Sequence, residues 1–223
     1  DYLRCIHCAN PVVLEPSYVT ANDSDEVMSG KLECQNCHKI YSVTNGIPRM
    51  VDASISTAAD VISGDVFAHA WRAFPRIDDR YFQQFFDWIH PVAPEFVQNK
   101  IVLDAGCGKG RHINVMVQAG AKVVLAVDIG GAIDVAYENV GHLPNVHIVQ
   151  GDVANLPFAP VADFAFSLGV LDHMESPADG LVSMSNKLNE NGSAAIWVYG
   201  RENNGWIIAF VNPIRLAITS KLP

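Results

Sequence analysis

One short segment constrains the fold of this chain more than any other, because an apolar run passes directly into a glycine-rich loop. Residues 100–111 read Lys-Ile-Val-Leu-Asp-Ala-Gly-Cys-Gly-Lys-Gly-Arg. The run Ile101–Leu103 predicts a buried strand, and a helical pattern begins near Arg111. The glycines between them permit a sharp turn and the close approach of a ligand. A strand, a glycine loop and a helix in this order form the first unit of a doubly wound α/β fold with a mostly parallel sheet.

The spacing of these glycines separates two classes of ligand. A dinucleotide-binding loop has the pattern Gly-x-Gly-x-x-Gly, which fails here because residue 111 is arginine. Asp104 stands just before the loop, and a carboxylate there repels a pyrophosphate but attracts a cationic ligand. A cofactor with a sulfonium and an amino-acid tail, S-adenosylmethionine (SAM), therefore fits the loop better than NAD.

Further strands follow, and two of them end in an acidic residue. Apolar runs predict strands over residues 122–127, 145–149, 162–168 and 193–199, and helices over 132–140 and 177–188. Asp128 follows the second strand and Asp152 the third, so both should lie at the carboxyl edge of the sheet, where such folds bind ligands. Either acid alone could instead be a helix N-cap or a turn residue. Their placement at consecutive strand ends favours a shared ligand.

These segments resemble, in order, the motifs of class I SAM-dependent methyltransferases, and specifically the methyltransferase type 11 group. The resemblance covers about residues 66–200 and rests on Asp104–Gly110, Asp128, Gly151-Asp152 and Leu168-Gly-Val-Leu-Asp-His173. It implies an enzyme whose Asp128 holds the ribose of SAM and whose Ile129, Asp152 and Val153 frame the adenine. With two candidates from the segment that should fold over the cofactor, the predicted cofactor-binding residues are Trp71, Arg72, Asp104, Gly106, Cys107, Gly108, Gly110, Asp128, Ile129, Asp152, Val153 and Leu168. Cys107 is expected to be a small packing residue rather than a nucleophile.

Residues after the fourth and fifth strands are the candidates for contact with the methyl acceptor. Methyl transfer is a displacement in which the protein mainly aligns the acceptor, so a base is needed only where the acceptor must lose a proton. Related sequences often carry histidine at both 172 and 173, whereas this chain has Asp172. His173 and Tyr199 are the predicted catalytic residues, with a structural role as the alternative for each.

Four of the five cysteines form two Cys-x-x-Cys pairs, Cys5 with Cys8 and Cys34 with Cys37. Two such pairs can supply four thiolates to one tetrahedral Zn²⁺, which leaves no open position for catalysis. The alternative is two disulfides or redox dithiols, which a reducing compartment disfavours. The sequence therefore predicts a structural zinc ion held by Cys5, Cys8, Cys34 and Cys37.

The cysteines, the Asn45-Gly46 turn and the Gly-Ile-Pro that follows resemble the small β-rich zinc ribbon that precedes or partners many methyltransferases. We therefore expect a zinc ribbon over residues 1–52, a linker over 53–65 and a SAM-dependent methyltransferase domain over 66–223. Most rings of the aromatic-rich segment Phe67–Phe96 should pack in the core. The apolar segment Gly205–Leu222 should be helical, and the sixth and seventh strands that normally end this fold are expected to be missing.

Charge and hydropathy narrow the class of partner. With 15 Lys and Arg against 24 Asp and Glu, the net charge is −9, which makes nucleic acid an unexpected partner. No apolar run approaches the ~18 residues of a membrane span, and no signal peptide is evident, so a cytoplasmic protein is expected. The leading prediction is a methyltransferase for a small-molecule acceptor, whose ribbon packs on the catalytic domain or on a protein partner. Two alternatives stay open: an rRNA or tRNA base methyltransferase, because bacterial 23S rRNA guanine methyltransferases also carry an N-terminal ribbon, and a non-catalytic SAM- or partner-binding module.

Overall fold

Ten strands and five α-helices make up the part of the chain that the computed structural model describes, which is residues 2–15, 20–21, 26–200, 205, 207–211 and 213. The strands are β1 Val12–Leu14, β2 Thr20–Ala21, β3 Val27–Cys34, β4 Ile40–Thr44, β5 Ile47–Arg49, β6 Ile101–Ala105, β7 Val123–Asp128, β8 Val146–Gln150, β9 Ala162–Leu168 and β10 Leu188–Trp197. The α-helices are α1 Ala58–Ala73, α2 Arg80–Trp88, α3 Arg111–Gln118, α4 Ala132–Val140 and α5 Pro177–Ser185. Short 3-10 turns cover Pro94–Val97, Val153–Asn155 and Leu171–His173.

All ten strands join one sheet with two differently built halves. The strand order is β1-β3-β4-β5-β8-β7-β6-β9-β10, with β2 paired to β3. From β8 to β10 the strands are parallel, and from β1 to β5 they are antiparallel. The halves meet where Arg49 of β5 pairs in parallel with Gln150 of β8. This architecture confirms the predicted doubly wound α/β fold preceded by a small β-rich region.

The parallel strands are buried on both faces because helices cover both. One face packs residues such as Val102, Val124 and Phe166 against Phe85 of α2 and Ile113 of α3. The opposite face packs Leu103 and Leu125 with Met184 of α5. Uninterrupted apolar runs such as residues 123–127 are what such strands require, which explains why the sequence predicts β6 to β9 to within two residues.

The strand at the sheet edge differs from the prediction. The sequence places a strand start at Ser193 after an Asn-Gly turn, but β10 begins at Leu188, which pairs with Ala162. The register shifts between Leu188 and Ser193, so the intervening residues form an irregularity within one strand. As a result α5 ends at Ser185 instead of residue 188. An edge strand tolerates such a bulge because only one neighbour constrains it.

The segment predicted as a linker over residues 53–65 is largely helical. Helix α1 begins at Ala58 because the Thr57 hydroxyl accepts a hydrogen bond from the Asp60 backbone N–H at 3.1 Å. The Thr57 hydroxyl also donates to the Asp60 carboxylate at 2.9 Å, so the two side chains cap the helix together. Small residues at its start conceal the helix from an apolar-periodicity reading.

The aromatic-rich segment is divided between core and surface. Phe85 and Phe86 are buried as predicted, whereas Phe67 and Phe74 are exposed. After residue 200 the structure describes only residues 205, 207–211 and 213, with a π-helical turn over Ile207–Val211. The rest of the predicted helix, including Trp206, lies outside the described residues. In the whole of the described part of the chain, no helix is both long enough and apolar enough to cross a bilayer.

A tight turn shapes the antiparallel half, and two side-chain contacts join this half to α4. Asn45 and Gly46 have φ of +53° and +76°, so they form the predicted two-residue turn between β4 and β5. Across the junction, Arg49 donates to the Asp134 carboxylate of α4 at 2.6 Å. The Tyr137 hydroxyl of α4 donates to Glu26 at 2.5 Å. The antiparallel half is therefore anchored along α4.

Candidate functional site

A cavity of about 400 Å³ lies at the carboxyl edge of the parallel strands and beside α1. This is the edge at which open α/β sheets bind ligands, and the volume lies in the ~300–1,000 Å³ range of small-molecule sites. The predicted site residues that line it are Trp71, Gly106, Cys107, Gly108, Asp128, Ile129, Asp152, Val153, Leu168, His173 and Tyr199. Arg72, Asp104 and Gly110 are not among its lining residues.

The glycine loop has a shape that other residues rarely adopt. Gly106, Gly108 and Gly110 have φ of +92°, +54° and +84°, a region that L-residues rarely occupy. A Cβ on Gly106 would lie 2.4 Å from the Val170 side chain, and one on Gly108 would lie 3.0 Å from the Trp71 indole nitrogen. The glycines therefore allow both the turn and the close packing of the cavity wall.

Four backbone N–H groups of this loop bond within the protein. Gly106 and Cys107 both donate to the Val127 carbonyl at 2.9 Å, and the Gly110 N–H donates to the Cys107 carbonyl at 3.0 Å. The Gly108 N–H donates to the Asp128 carboxylate at 2.8 Å. A loop that cradles a pyrophosphate presents such groups to the anion. The structure thus gives a second reason why the loop does not suit a dinucleotide.

Asp128 connects two loops and also lines the cavity. Its carboxylate accepts hydrogen bonds from the backbone N–H groups of Gly108 at 2.8 Å and Gly130 at 3.0 Å. Burial raises its pKa, and these backbone bonds oppose that shift. Two ionised carboxylate oxygens have about four acceptor positions. Asp128 therefore acts as a turn residue and retains the capacity to accept bonds from a ligand diol.

The other predicted acids are placed differently. Asp152 lines the cavity, and it also caps the 3-10 turn after β8 by accepting from the Ala154 N–H at 2.8 Å. Asp104 is wholly buried, and its Oδ2 has no hydrogen-bond partner among the described residues. Burial raises the pKa of Asp104 well above its usual range, and the charge of Asp128 raises it further. Asp104 is thus positioned beside the loop without reaching the cavity.

Three further predicted residues take packing or surface positions. Arg72 is exposed, and its guanidinium lies 3.5 Å from the Gly131 carbonyl. Gly110 packs against Ala136 and Val140 of α4. Cys107 is buried, and burial raises its thiol pKa, which agrees with a packing residue rather than a nucleophile.

Helix α1 is the main contributor that sequence reasoning missed. It supplies Asp60, Ser63, Gly64, Phe67 and Ala70 to the cavity wall in addition to the predicted Trp71. The Thr57 and Asp60 cap, and the spacing of Phe67 and Trp71, were the available signals. Other lining residues that were not predicted are Trp88, Lys109, Arg111, His112, Gly169, Val170, Met174 and Trp197.

Lys109 fastens this helix to the glycine loop. Its buried ammonium group donates to the carbonyls of Phe74 at 2.8 Å and Arg76 at 2.7 Å, just beyond the end of α1. Asn139 of α4 donates to the carbonyls of Pro75 at 3.0 Å and Lys109 at 2.9 Å. The segment before β6 is thereby held over the loop, with Trp71 against Gly108.

The two predicted catalytic residues meet at the exposed side of the cavity. The rings of His173 and Tyr199 have centroids 6.3 Å apart. His173 Nε2 lies 3.7 Å from the carboxylate of Asp172, the residue that departs from the related sequences. Phe67 contacts the His173 ring edge-on, with centroids 4.8 Å apart. Both residues are therefore located where an acceptor could reach them.

A second cluster lies in the antiparallel half of the molecule. The four sulfur atoms of Cys5, Cys8, Cys34 and Cys37 lie within 4.8 Å of one another. Cys5 Sγ and Cys8 Sγ each lie 3.6 Å from Cys37 Sγ, and Cys8 Sγ lies 3.4 Å from Cys34 Sγ. Zn–S bonds of ~2.3 Å in a tetrahedron place sulfurs ~3.8 Å apart, whereas a disulfide needs ~2.05 Å. The cluster is compatible with one zinc ion.

Both cysteine pairs have the same local backbone geometry. The Ala9 N–H donates to the Cys5 carbonyl at 2.9 Å, and the His38 N–H donates to the Cys34 carbonyl at 3.2 Å. Ala9 and His38, each directly after the second cysteine, both have φ of +57°. The Tyr41 hydroxyl lies 3.1 Å from Cys5 Sγ, where it can support a thiolate ligand.

Comparisons with known proteins agree with this fold and cavity. Residues 103–196 match the family described as "Methyltransferase domain". A solved structure assigned as an S-adenosyl-L-methionine-dependent methyltransferase, from Methanococcus maripaludis, has a TM-score of 0.50 and 18% identity, and the match covers 70% of this chain and 74% of that one. At that identity the likeness concerns the fold alone.

Two curated relatives share more of the sequence. A tRNA U34 carboxymethyltransferase of Shewanella sp. (strain ANA-3) is 32% identical over 140 residues, which cover 54% of this chain and 42% of the relative. A protein of the same name from Shewanella amazonensis is 30% identical over 138 residues, which cover 53% and 42%. The chain thus spans less than half of the length of these relatives.

The matched family, the strand order and the glycine loop agree with one another. Residues 103–196 match the methyltransferase type 11 domain, and the N-terminal cysteine cluster is compatible with a zinc ribbon.

Proposed function

We propose that this protein binds SAM in the cavity at the carboxyl edge of the sheet and transfers its methyl group to a base of an RNA, with tRNA as the favoured acceptor. The observation that carries the cofactor assignment is the glycine loop itself, whose Gly108 N–H holds the Asp128 carboxylate at the cavity wall. Bound SAM supplies a methyl group that its sulfonium activates for displacement. The protein then has to bind the cofactor and the acceptor, orient them and exclude water.

The residues present fit such a cofactor. Asp128 has free acceptor capacity for the two ribose hydroxyls. Ile129, Val153 and Leu168 offer apolar surface for the adenine, and all three line the cavity. Asp152 retains acceptor capacity beyond its bond from Ala154, so it can accept from the exocyclic amine. The roles of His173 and Tyr199 as acceptor contacts belong to the same proposal.

The proposed acceptor differs from the one that composition favours. Composition alone favoured a small molecule, yet the relatives that match this chain carry the name tRNA U34 carboxymethyltransferase. Those names support the RNA alternative, which the net charge of −9 had disfavoured. Long-range attraction to phosphates is weak for such a chain, so we propose that recognition acts mainly through the base.

The cysteine cluster belongs to the proposal as a structural zinc site. Four thiolates complete a tetrahedral shell, so the ion would stabilise the fold and take no part in the chemistry. Reduced thiolates are the normal state in a cytoplasmic compartment, and a cytoplasmic location is part of this proposal. A protein partner at the ribbon also stays a proposal.

Calorimetric titration with SAM tests the cofactor site. Asp128→Asn removes the charge and part of the acceptor capacity, so SAM should bind about 10- to 100-fold more weakly, as expected for a lost charged hydrogen bond worth ~1.5–3 kcal/mol. Asp134→Asn, on α4 and outside the cavity, is the matched control and should leave the affinity unchanged. Thermal unfolding confirms that both variants are folded. Equal affinities in both variants would refute the role of Asp128.

Transfer of a tritiated methyl group from SAM tests the acceptor class. The protein is incubated separately with bulk tRNA, ribosomal RNA and a metabolite extract. We expect label in the tRNA fraction. Label only in the metabolite fraction would restore the small-molecule reading, and SAM binding without label in any fraction would favour the non-catalytic module.

A further inference from the structure

Six aromatic side chains and one arginine form a belt around the cavity, which we call the aromatic collar. Its members are Phe67, Trp71, Trp88, His173, Trp197, Tyr199 and Arg111, and all seven line the cavity. They come from α1, α2, α3, the turn after β9 and the end of β10. No single segment of the sequence therefore contains the collar.

The rings contact one another around most of the belt. Centroids of Phe67 and His173 lie 4.8 Å apart, and those of His173 and Tyr199 lie 6.3 Å apart. Tyr199 and Trp197 follow at 4.8 Å, and Trp197 stacks on Trp88 at 4.9 Å with an interplanar angle of 10°. Such spacings are typical of favourable ring pairs, so the belt is a preformed surface.

Arg111 lies between the Trp88 and Trp71 rings of the belt. Its guanidinium carbon lies 5.8 Å from the Trp88 ring centroid and 5.5 Å from that of Trp71. Within the described part of the chain, the guanidinium makes no hydrogen bond or ion pair. A guanidinium has five N–H donors in a planar fork, so Arg111 presents unpaired donors to the cavity.

Two rings of the collar are far more exposed than the rings of the core. Phe67 is 39% exposed and Tyr199 is 67% exposed, whereas the core rings Phe85, Phe164 and Phe166 are at most 1% exposed. Gly106, Asp128 and Asp152 line the same cavity, and Trp71 lies against Gly108, so the collar adjoins the glycine loop. The cavity therefore offers both acidic and aromatic groups, which suit two different ligands.

We propose that the aromatic collar is the acceptor site, and that it takes a single unpaired nucleobase of the RNA by stacking, with Arg111 donating hydrogen bonds to the base edge. The proposal rests on the proposed function and names the residues that recognise its substrate. Single-stranded bases are bound in this way by aromatic and arginine side chains. Every base has a π face, so stacking can replace the phosphate contacts that the acidic chain lacks.

Binding of a nucleotide gives a test that needs no turnover. Uridine 5′-monophosphate is titrated into the protein with and without S-adenosylhomocysteine, by ligand-observed NMR, beside ribose 5-phosphate, which lacks the base. We expect saturation transfer to the base protons and weaker binding of ribose 5-phosphate. Trp197→Ala should weaken nucleotide binding about 10-fold, and Trp197→Phe should restore it to within about 3-fold.

Two further variants keep the outcome clear. Tyr199→Leu changes an exposed collar ring and should weaken nucleotide binding even if Trp197→Ala fails to fold. Phe74→Ala removes a ring that is 73% exposed and lies off the cavity, so it should change nothing. Equal binding of the two probes, or equal effects of Tyr199→Leu and Phe74→Ala, would overturn the collar as the base site.

Failure of the proposed function would look different. If S-adenosylhomocysteine does not bind, or no RNA accepts a methyl group, the proposed function fails while nucleotide binding still reports on the collar. If both hold, the collar variants should raise the KM for tRNA by about 10-fold and leave the KM for SAM within 2-fold. A matching rise in the KM for SAM would assign the collar to the cofactor instead and overturn the proposal.

Discussion

The antiparallel and parallel halves of this molecule share one sheet, yet they are stabilised by different means. In the parallel half, Val124, Leu125 and Ala126 are consecutive and all buried, because helices cover both faces. In the antiparallel half, burial alternates along β4, where Tyr41 and Val43 are buried and the other three residues are exposed. A one-sided sheet of short strands removes little apolar surface from water. We therefore expect the antiparallel half to depend on the cysteine cluster for stability that the parallel half obtains from its core.

The cysteine cluster distinguishes the two halves, and it also takes part in the packing between them. Cys5 and Cys34 are buried with Leu32 and Met50, in the same apolar layer that continues to Leu103 of the parallel half. Loss of the cluster should thus disrupt the ribbon first and reach the α/β half only through this layer. The following changes test how independent the two halves are.

The largest expected effect comes from Cys34→Ser. Removing one of four thiolates should abolish zinc binding, and structural zinc sites contribute ~10–16 kcal/mol of apparent binding energy in small metal-dependent folds. Elemental analysis should fall from about one zinc per chain to none. Hydrogen exchange should become fast in β3 and β4 while β6, β7 and β9 stay protected.

The fifth cysteine supplies the control for this experiment. Cys107→Ala lies outside the cluster and should keep its zinc. Loss of protection in β6 and β7 of Cys34→Ser would show that the two halves unfold as one unit, against the comparison drawn above.

A void created in the core of the parallel half should destabilise that half and leave the cysteine cluster intact. Phe85 is fully buried against Phe86 and Phe166, so Phe85→Ala should lower the free energy of unfolding by about 3–5 kcal/mol. Urea unfolding measures this loss, and zinc content should not change. Phe74→Ala, at an exposed ring, should stay within about 0.5 kcal/mol of the wild type. A similar loss in both variants would contradict the assignment of Phe85 to the core.

The parallel half should also respond to acid through His112. Burial among Phe85, Trp88 and Phe166, with the nearby charge of Arg111, lowers its pKa to about 3. The unfolded chain binds a proton near pH 6.5 and the folded chain does not, so stability is full above that pH and falls below it. The slope should reach about 1.4 kcal/mol per pH unit between pH 6 and pH 3.

Unfolding measured across this pH range, in the wild type and in His112→Phe, isolates the contribution of this side chain. In the variant, the slope of the free energy of unfolding against pH should be lower by the contribution of one proton, about 1.4 kcal/mol per pH unit. An unchanged slope would mean that the imidazole is not buried as a neutral group.

The smallest effect is expected at the junction itself. Arg49 and Asp134 form an ion pair at 2.6 Å, with side chains 19% and 39% exposed. Partly solvated pairs of this kind contribute about 1 kcal/mol or less. A double-mutant cycle with Arg49→Met and Asp134→Asn should therefore give a coupling energy below about 1 kcal/mol. A larger value would show that the halves are more strongly coupled than their cores suggest.

Much of the fold could be predicted because it depends on local rules. Gly106, Gly108 and Gly110 were identified from spacing, and each has the positive φ that a side chain would resist. Apolar runs predicted β6 to β9, since strands buried on both faces need no alternation. The two Cys-x-x-Cys pairs predicted a four-sulfur cluster, because a tight turn brings the two thiols of each pair together.

Other features depended on contacts between distant segments, and the sequence could not determine them. Helix α1 starts among small residues, and only its packing shows that it walls the cavity. Pairing of β5 with β8, the bulge in β10 and the bond from Gly108 to Asp128 all follow from register and distance across the sheet. The aromatic collar brings together residues from 67 to 199. Sequence patterns report the conformation and burial of neighbouring residues, whereas the meeting of side chains from separate elements is decided by how those elements pack.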